Sequence, residues 1–264
     1  ISFDANGTAL GNGITFDKLI SKYSKLKEIY IACWYFPETM AICAAASKNG
    51  IKTIDVQHGK QGRYQAMYSG WTKIPDDGYD LMPHHFWCWG QPSCNHILSS
   101  SPKRKKHIPF VGGYPWVDFY KTNVITEPFQ IPDTKIKVLL TLQPPSGVHK
   151  ERIPKFIIDF LMLCKSEDTH FIIRIHPNDS AGYDYCQKRL KEVDSRLYSI
   201  DCGKKNLYDV FKIATHHITA FSSCCYEANL FNIPTLLFGE ESKEIYQEEI
   251  SNNLFSWTNN DKDD

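Results

Sequence analysis

Four short polar segments follow apolar runs in this chain, and their residue types suit a phosphate-bearing ligand. Residues 51–56 lead into Gln57-His58-Gly59-Lys60-Gln61-Gly62-Arg63. Residues 137–142 lead into Gln143-Pro144-Pro145-Ser146-Gly147, and residues 170–175 into His176-Pro177-Asn178-Asp179, with Arg174 just inside the run. Residues 217–220 lead into Phe221-Ser222-Ser223, ahead of a helical pattern that carries Glu227. Ser222 and Ser223 are expected at a helix N-terminus, where free N–H groups and the helix dipole favour an anion. The same hydroxyls would equally serve as caps alone. Glu227 falls one helical turn on, within reach of a ribose hydroxyl or as a capping-type carboxylate. Pro177 forces an extended chain at His176 and removes a donor after it, so the imidazole is held at the end of its run. Arg174 adds a guanidinium. Gly59 and Gly62 permit tight turning and close ligand approach, with Lys60 and Arg63 supplying charge.

These segments need elements to carry them, and the hydrophobic pattern supplies an alternation. Residues 28–34 read as a buried strand and 37–49 as a helix, with Pro37 early, an alanine-rich middle and Asn49-Gly50 as its stop. Strands are expected at 51–56, 86–89 and 108–111. The second half restarts at 137–142 (strand), 153–165 (helix), 170–175 (strand), 183–193 (helix), 196–200 (strand), 207–214 (helix), 217–220 (strand), 224–231 (helix) and 235–238 (strand). Strand, helix, strand with short connections implies parallel sheets. The fold class is therefore α/β, with two Rossmann-like domains facing a cleft. In such sheets ligands sit beyond the carboxyl ends of the strands, so the four polar segments are expected on one rim. The expected division is 1–121 for an acceptor-side domain, 122–134 for a linker containing Pro128 and Pro132, 135–250 for a nucleotide-sugar-binding domain, and 251–264 for a frayed polar tail. The chain lacks an initiator Met and opens in mid-pattern, so the N-terminal domain is read as truncated, with strands upstream of Ile1.

Composition narrows the function classes. The chain has 264 residues, 30 Lys+Arg against 30 Asp+Glu, so no global field draws it to nucleic acid or anionic lipid. One basic run, Lys103-Arg104-Lys105-Lys106, reads either as a solvated loop or as a patch for a membrane or charged acceptor. No apolar stretch approaches the roughly 20 residues of a membrane span. Nine cysteines lie scattered, mostly in apolar runs, as suits reduced thiols in a cytoplasmic protein. His84, His85, Cys88, Cys94 and His96 lie close together, but their spacing is wrong for a structural zinc site. Neither a P-loop nor a dinucleotide Gly-x-Gly-x-x-Gly occurs.

The set Gln57-His58-Gly59, Gly113-Tyr114-Pro115, Arg174-Ile175-His176-Pro177 and Ser222-Ser223 with Glu227 resembles GT-B-fold bacterial polysaccharide transferases. The look-alikes are Kdo transferases and bacterial sialyltransferases, which use CMP-activated acidic sugars, and teichoic-acid glycerophosphotransferases, which use CDP-glycerol. The resemblance spans residues 34–239. It implies that His176-Pro177 contacts the donor's nucleotide and phosphate, that Ser222-Ser223 binds the donor phosphate, and that neither metal nor cofactor is needed. The single Asp-x-Asp, Asp261-Lys262-Asp263, lies in the polar tail. The acidic first-half motif of sialyltransferases has no placed counterpart, because Asp76-Asp77-Gly78 sits in a loop.

The expected function is metal-independent glycosyl transfer from a CMP-linked acidic sugar, such as Kdo or sialic acid, to a surface polysaccharide or lipid-linked acceptor. The expected setting is cytoplasmic, at the inner face of a membrane. Gln143, Arg174, His176, Pro177, Ser222, Ser223 and Glu227 are the expected donor contacts. Glu38 or His58 would deprotonate the acceptor hydroxyl, with Asp77 as second carboxylate; Glu38 reads alternatively as a helix-dipole carboxylate. Gly59 and Arg63 would touch the acceptor, and Trp34, Tyr35, Tyr64 and Trp71 could stack on sugar rings. The rivals are a CDP-glycerol-type phosphotransferase, a sugar-nucleotide 2-epimerase and a non-catalytic nucleotide-sugar-binding module.

Overall fold

The computed structural model describes residues 2–3, 9–10, 16–71, 73–100, 105–123, 130–145 and 151–259. Lys103 and Arg104 of the basic run, Val124 to Phe129 in the expected linker, Ser146-Gly147 and the Asp261-Lys262-Asp263 triplet lie outside them. The chain divides into two compact units, Ile1–Tyr114 and Pro115–Asp264, earlier than the boundary expected after residue 121.

The first unit opens with an antiparallel pair, β1 (Ser2–Phe3) and β2 (Ala9–Leu10), and helix α1 (Phe16–Ile20). Strand β3 (Glu28–Ile31), helix α2 (Pro37–Lys48), strands β4 (Lys52–Val56) and β5 (His85–Cys88), helix α3 (Gln91–Ser100) and strand β6 (Ile108–Val111) follow. Their sheet is wholly parallel, in order β3-β4-β5-β6. Helix α2 has Pro37 in its first turn, where a missing N–H costs nothing, and stops at Asn49 with Gly50 at φ +67°. Strand β3 stops at Ile31, short of the expected end at residue 34. Cys33 takes φ +55°, a left-handed conformation that ends an extended run. Ile31, Trp34, Cys43, Tyr68, Phe86, Cys88 and Ile97 pack into one core, and Ile20, Ala45, Ala46 and Ile51 join α1 to α2.

The second unit begins with helix α4 (Pro115–Thr122), an element absent from the expected pattern that reaches the first residue of the expected linker. There follow β7 (Ile136–Thr141), α5 (Lys155–Leu163), β8 (Thr169–Arg174), α6 (Gly182–Arg189), a 3₁₀ turn at Ser195–Leu197, β9 (Tyr198–Asp201), α7 (Leu207–Ile213), β10 (His216–Thr219), α8 (Cys224–Leu230), β11 (Thr235–Phe238), α9 (Glu240–Ile245), α10 (Gln247–Ser251) and β12 (Ser256–Thr258). The tail expected to fray thus adds a sixth strand, paired parallel to β11. The sheet order is β12-β11-β10-β7-β8-β9, all parallel. The chain runs outward from β7 in one direction, then returns beside β7 and runs out in the other. A crevice at such a reversal is where doubly wound folds hold nucleotides.

Both faces of this sheet are covered, as a parallel sheet requires. Along β7 the side chains alternate: Val138 and Leu140 join α5 and α6 through Ile157, Leu161, Cys186 and Leu190, while Leu139 joins α7 and α8 through Val210, Phe211 and Ala228. Among the described residues no helix is long and apolar enough to cross a membrane.

One buried polar residue ties three central strands. His217 on β10 is 1% exposed, its Nε2 2.9 Å from Thr141 Oγ1 on β7 and its Nδ1 3.1 Å from Thr235 Oγ1 on β11. Burial alone pushes its pKa down to about 3, from an ordinary 6.5. The folded-state value is depressed, so this stabilisation is present above pH 6.5 and is lost progressively as pH falls from there toward 3. Each pH unit in that window costs about 1.4 kcal/mol. Between pH 7 and pH 5 the urea stability of the wild type is expected to change less favourably than that of His217→Gln, the difference being the His217 contribution. Equal pH slopes would remove the assignment.

Candidate functional site

In the second unit the three polar segments emerge from the carboxyl ends of adjacent strands, β10, β7 and β8. The ends of β8 and β10 flank β7 and stand two strand spacings apart, about 10 Å. Ser222-Ser223 therefore follows one strand at the reversal point, Gln143 follows the other, and His176-Pro177 follows the next strand along. The sequence expectation that these segments share one rim is met within this unit.

The His-Pro segment is firmly held. Arg152 grips Asp179 with two hydrogen bonds, Nε to Oδ2 at 2.5 Å and Nη2 to Oδ1 at 2.8 Å, and the Arg152 hydrogen bond holds the Asp179 carboxyl below its usual range. The Asp179 amide donates to the His176 carbonyl at 2.9 Å, closing the turn. Helix α6 begins hard against this turn: a Cβ on Gly182 would meet Ile175 Cγ2 at 2.4 Å, so only glycine fits there. His176 is half-buried and Pro177 exposed. The backbone amide of Asn178 donates to His176 Nδ1 at 3.2 Å. An amide can only donate, so Nδ1 is the acceptor and the neutral ring carries its proton on Nε2. That leaves Nε2–H as the ring's donor.

Arg174 is placed differently from the expectation of an anion-facing guanidinium. It is the register partner of Asp201 on β9, and its Nη1 donates to Asp201 Oδ2. The two side chains are 10% and 3% exposed. Its charge is thus already compensated by a cross-strand carboxylate. The guanidinium still lowers the pKa of the Cys224 thiol at the start of α8, against the larger upward push of burial, which places it near that helix.

At the α8 end, Ser222 Oγ accepts from the Cys224 amide at 3.3 Å, which is the capping use of that hydroxyl. Ser223, at the helix boundary, makes no capping bond through its side chain. Glu227 is buried and accepts from Tyr208 Oη at 2.8 Å. Tyr208 in turn stacks on Tyr120 at 4.7 Å between ring centroids. Gln143 is half-buried beyond β7.

The first unit gathers a second cluster on its own carboxyl rim. His58 follows β4, and its Nε2 lies 3.1 Å from Cys33 Sγ and 3.5 Å from Tyr35 Oη, both from the segment after β3. Partial burial lowers the His58 pKa and raises that of Cys33; it pushes Tyr35 up to about 12. Beneath them Asp55 is fully buried. It accepts from the Trp34 amide at 3.2 Å and from Tyr68 Oη at 2.7 Å. Gln57 pins the loop, its Nε2 donating to the Gly59 carbonyl at 2.8 Å and its Oε1 accepting from the Trp89 amide at 2.7 Å. Arg63 is exposed and lies over the Tyr64 ring at 4.7 Å. Glu38 is exposed on the first turn of α2, on the same rim. Tyr114 stacks on Trp89 at 4.3 Å, and Gly112 lies so close to the Trp87 indole that a Cβ would stand 2.1 Å from it. Asp77, the second carboxylate considered, is solvent-exposed near Lys105.

No protein-family model matches this sequence, and no curated protein matches it at a significant level. Solved structures do. A Listeria monocytogenes protein assigned as a UDP-N-acetylglucosamine 2-epimerase aligns with TM-score 0.63 at 14% identity, over 89% of this chain and 62% of that one. The UDP-GlcNAc 2-epimerase of Methanocaldococcus jannaschii aligns with TM-score 0.58 at 17% identity, over 92% of this chain and 68% of its own. The Neisseria meningitidis enzyme, solved with UDP-GlcNAc bound, gives 0.57 and 16%, over 88% and 65%. This chain thus spans less than two thirds of the length of the first of these. The shared feature is the fold: α/β, with two parallel, Rossmann-like sheets of four and six strands, of the GT-B-like class.

Proposed function

We propose that this chain is a nucleotide-sugar enzyme that moves a glycosyl group without a metal ion, with the donor's nucleotide and phosphate on the second unit. The observation that supports this reading best is that the segments carrying Gln143, His176 and Ser222 leave the carboxyl ends of the adjacent strands β7, β8 and β10, at the reversal of strand order. His176 Nε2–H and the Ser222 and Ser223 hydroxyls are the groups offered to the phosphate, which must be stabilised as it leaves. With Arg174 neutralised by Asp201, it shapes the rim beneath His176 rather than supplying net charge. Glu227, already holding Tyr208, is assigned to a ribose hydroxyl. On the first unit, His58 is assigned the proton of the acceptor hydroxyl, with Glu38 as the alternative base and Gly59 and Arg63 as acceptor contacts.

The donor class proposed is a CMP-linked acidic sugar, and the acceptor a surface glycan or a lipid-linked sugar. A second reading, epimerisation at C2 of a UDP-sugar, is favoured by the fold similarity to UDP-GlcNAc 2-epimerases, and it needs no acceptor. A panel of CMP-sugars, CDP-glycerol and UDP-GlcNAc, each with and without a glycan acceptor, separates the readings. Nucleotide release from a CMP-sugar that rises with acceptor is the expected result. Conversion of UDP-GlcNAc with no acceptor would favour epimerisation, and binding without turnover of any donor would leave a non-catalytic module.

A further inference from the structure

We propose that Asp55 is a positioning residue for His58, acting through Tyr68 and through the backbone that carries Cys33. This rests on the reading of His58 as the acid–base group of the first unit. Asp55 is fully buried near the carboxyl end of β4, three residues before His58. Burying a carboxyl is costly unless something is gained by it, and among the described residues it forms no ion pair with Lys or Arg. Its two oxygens are divided between two segments. Oδ1 takes the Trp34 amide, directly after the left-handed Cys33, and Oδ2 takes the Tyr68 hydroxyl.

Both contacts lead to the imidazole. Cys33 Sγ and Tyr35 Oη flank His58 Nε2. The Tyr68 ring packs against His58 at 6.5 Å and edge-on against Tyr35 at 6.1 Å between centroids. One carboxyl thus fixes the segment after β3 and the ring under His58 at once. A neutral hydrophobic residue in its place would free both.

The titratable groups that feel Asp55 are Cys33 and Tyr35 from the segment after β3, Cys43 from α2, Tyr68, and Cys88 from β5. None is a cation. Burial accordingly raises the Asp55 pKa to about 7, despite the opposing Tyr68 and Trp34 hydrogen bonds. The protonated form is favoured in the fold, so this contribution is present below the ordinary carboxyl value of 3.8 and is lost as pH rises through 7. Asparagine keeps the shape and the oxygen that takes the Trp34 amide but puts a donor where the Tyr68 hydroxyl is accepted, so Asp55→Asn is expected to fold with that one contact broken.

The test follows the His58 Cε1 resonance of the ¹³C-labelled full chain from pH 4 to 9, assigned with His58→Gln. The wild type is expected to show the ring's own titration and a second inflection near neutrality as Asp55 ionises. Asp55→Asn removes that second inflection, and Tyr68→Phe weakens it while Asp55 stays ionisable. In donor turnover, Asp55→Asn lowers kcat on the order of tenfold with KM changed by less than about twofold. An identical His58 resonance in wild type and Asp55→Asn across the range overturns the proposal. Full turnover in His58→Gln instead overturns the assignment of His58, a separate result from the resonance.

Discussion

Arg174→Ala is expected to destabilise the second unit by about 3–5 kcal/mol, the usual cost of stranding one partner of a buried ion pair. The pair is interior: Arg174 and Asp201 are 10% and 3% exposed and sit opposite each other on β8 and β9. Asp201 also accepts from the Gly203 amide at 3.1 Å, so its loss loosens the turn beside Pro177 as well. Asp201→Ala should cost a similar amount, and the double variant less than the two single losses together, because the partners share one interaction. The double substitution Arg174→Met with Asp201→Leu should recover most of the stability, since an apolar pair of similar volume needs no desolvation of charge. Denaturant titration of the four variants measures this directly. A loss below about 1 kcal/mol in both single variants would be the behaviour of a surface pair, and would contradict the burial seen here.

That pair also shows where the sequence stops being legible. Arg174 stands out beside His176-Pro177, and its type suggests an anion partner. Its actual partner, Asp201, lies in a polar stretch and becomes visible only once β9 is known to lie beside β8 in that register. The bounds of α2 and the place of β7 were readable, because Pro37, Asn49-Gly50 and the apolar run Val138-Leu139-Leu140 encode them locally. The common rim of Gln143, His176 and Ser222 was readable for the same reason: parallel strands force it.

The Cys33–His58 contact was not readable. It depends on a left-handed φ at a residue type that rarely adopts one, and on β3 lying beside β4. Asp55 could be noticed as the one acidic residue in an apolar run, but its partner Tyr68 comes from an irregular segment with no periodicity to place it. The Arg152–Asp179 clamp is likewise a contact between two loops. Strand β12 escaped because three residues, Ser256–Thr258, in a polar tail carry no strand pattern of their own; pairing to β11 makes them one.

The second large effect concerns His176. Its ring is oriented by the Asn178 amide, which leaves Nε2–H for a ligand oxygen. A hydrogen bond to a charged phosphate contributes about 1.5–3 kcal/mol, or roughly 10–100-fold in affinity. Because Pro177, the Arg152–Asp179 clamp and Gly182 hold the backbone independently of the ring, His176→Ala should fold as the wild type does. Isothermal titration of CMP, CDP and UDP into wild type and His176→Ala therefore tests the placement of the donor site most directly. Nucleotide binding to the wild type, weakened about tenfold or more in the variant, is the predicted result. Equal affinity in the two proteins would contradict it.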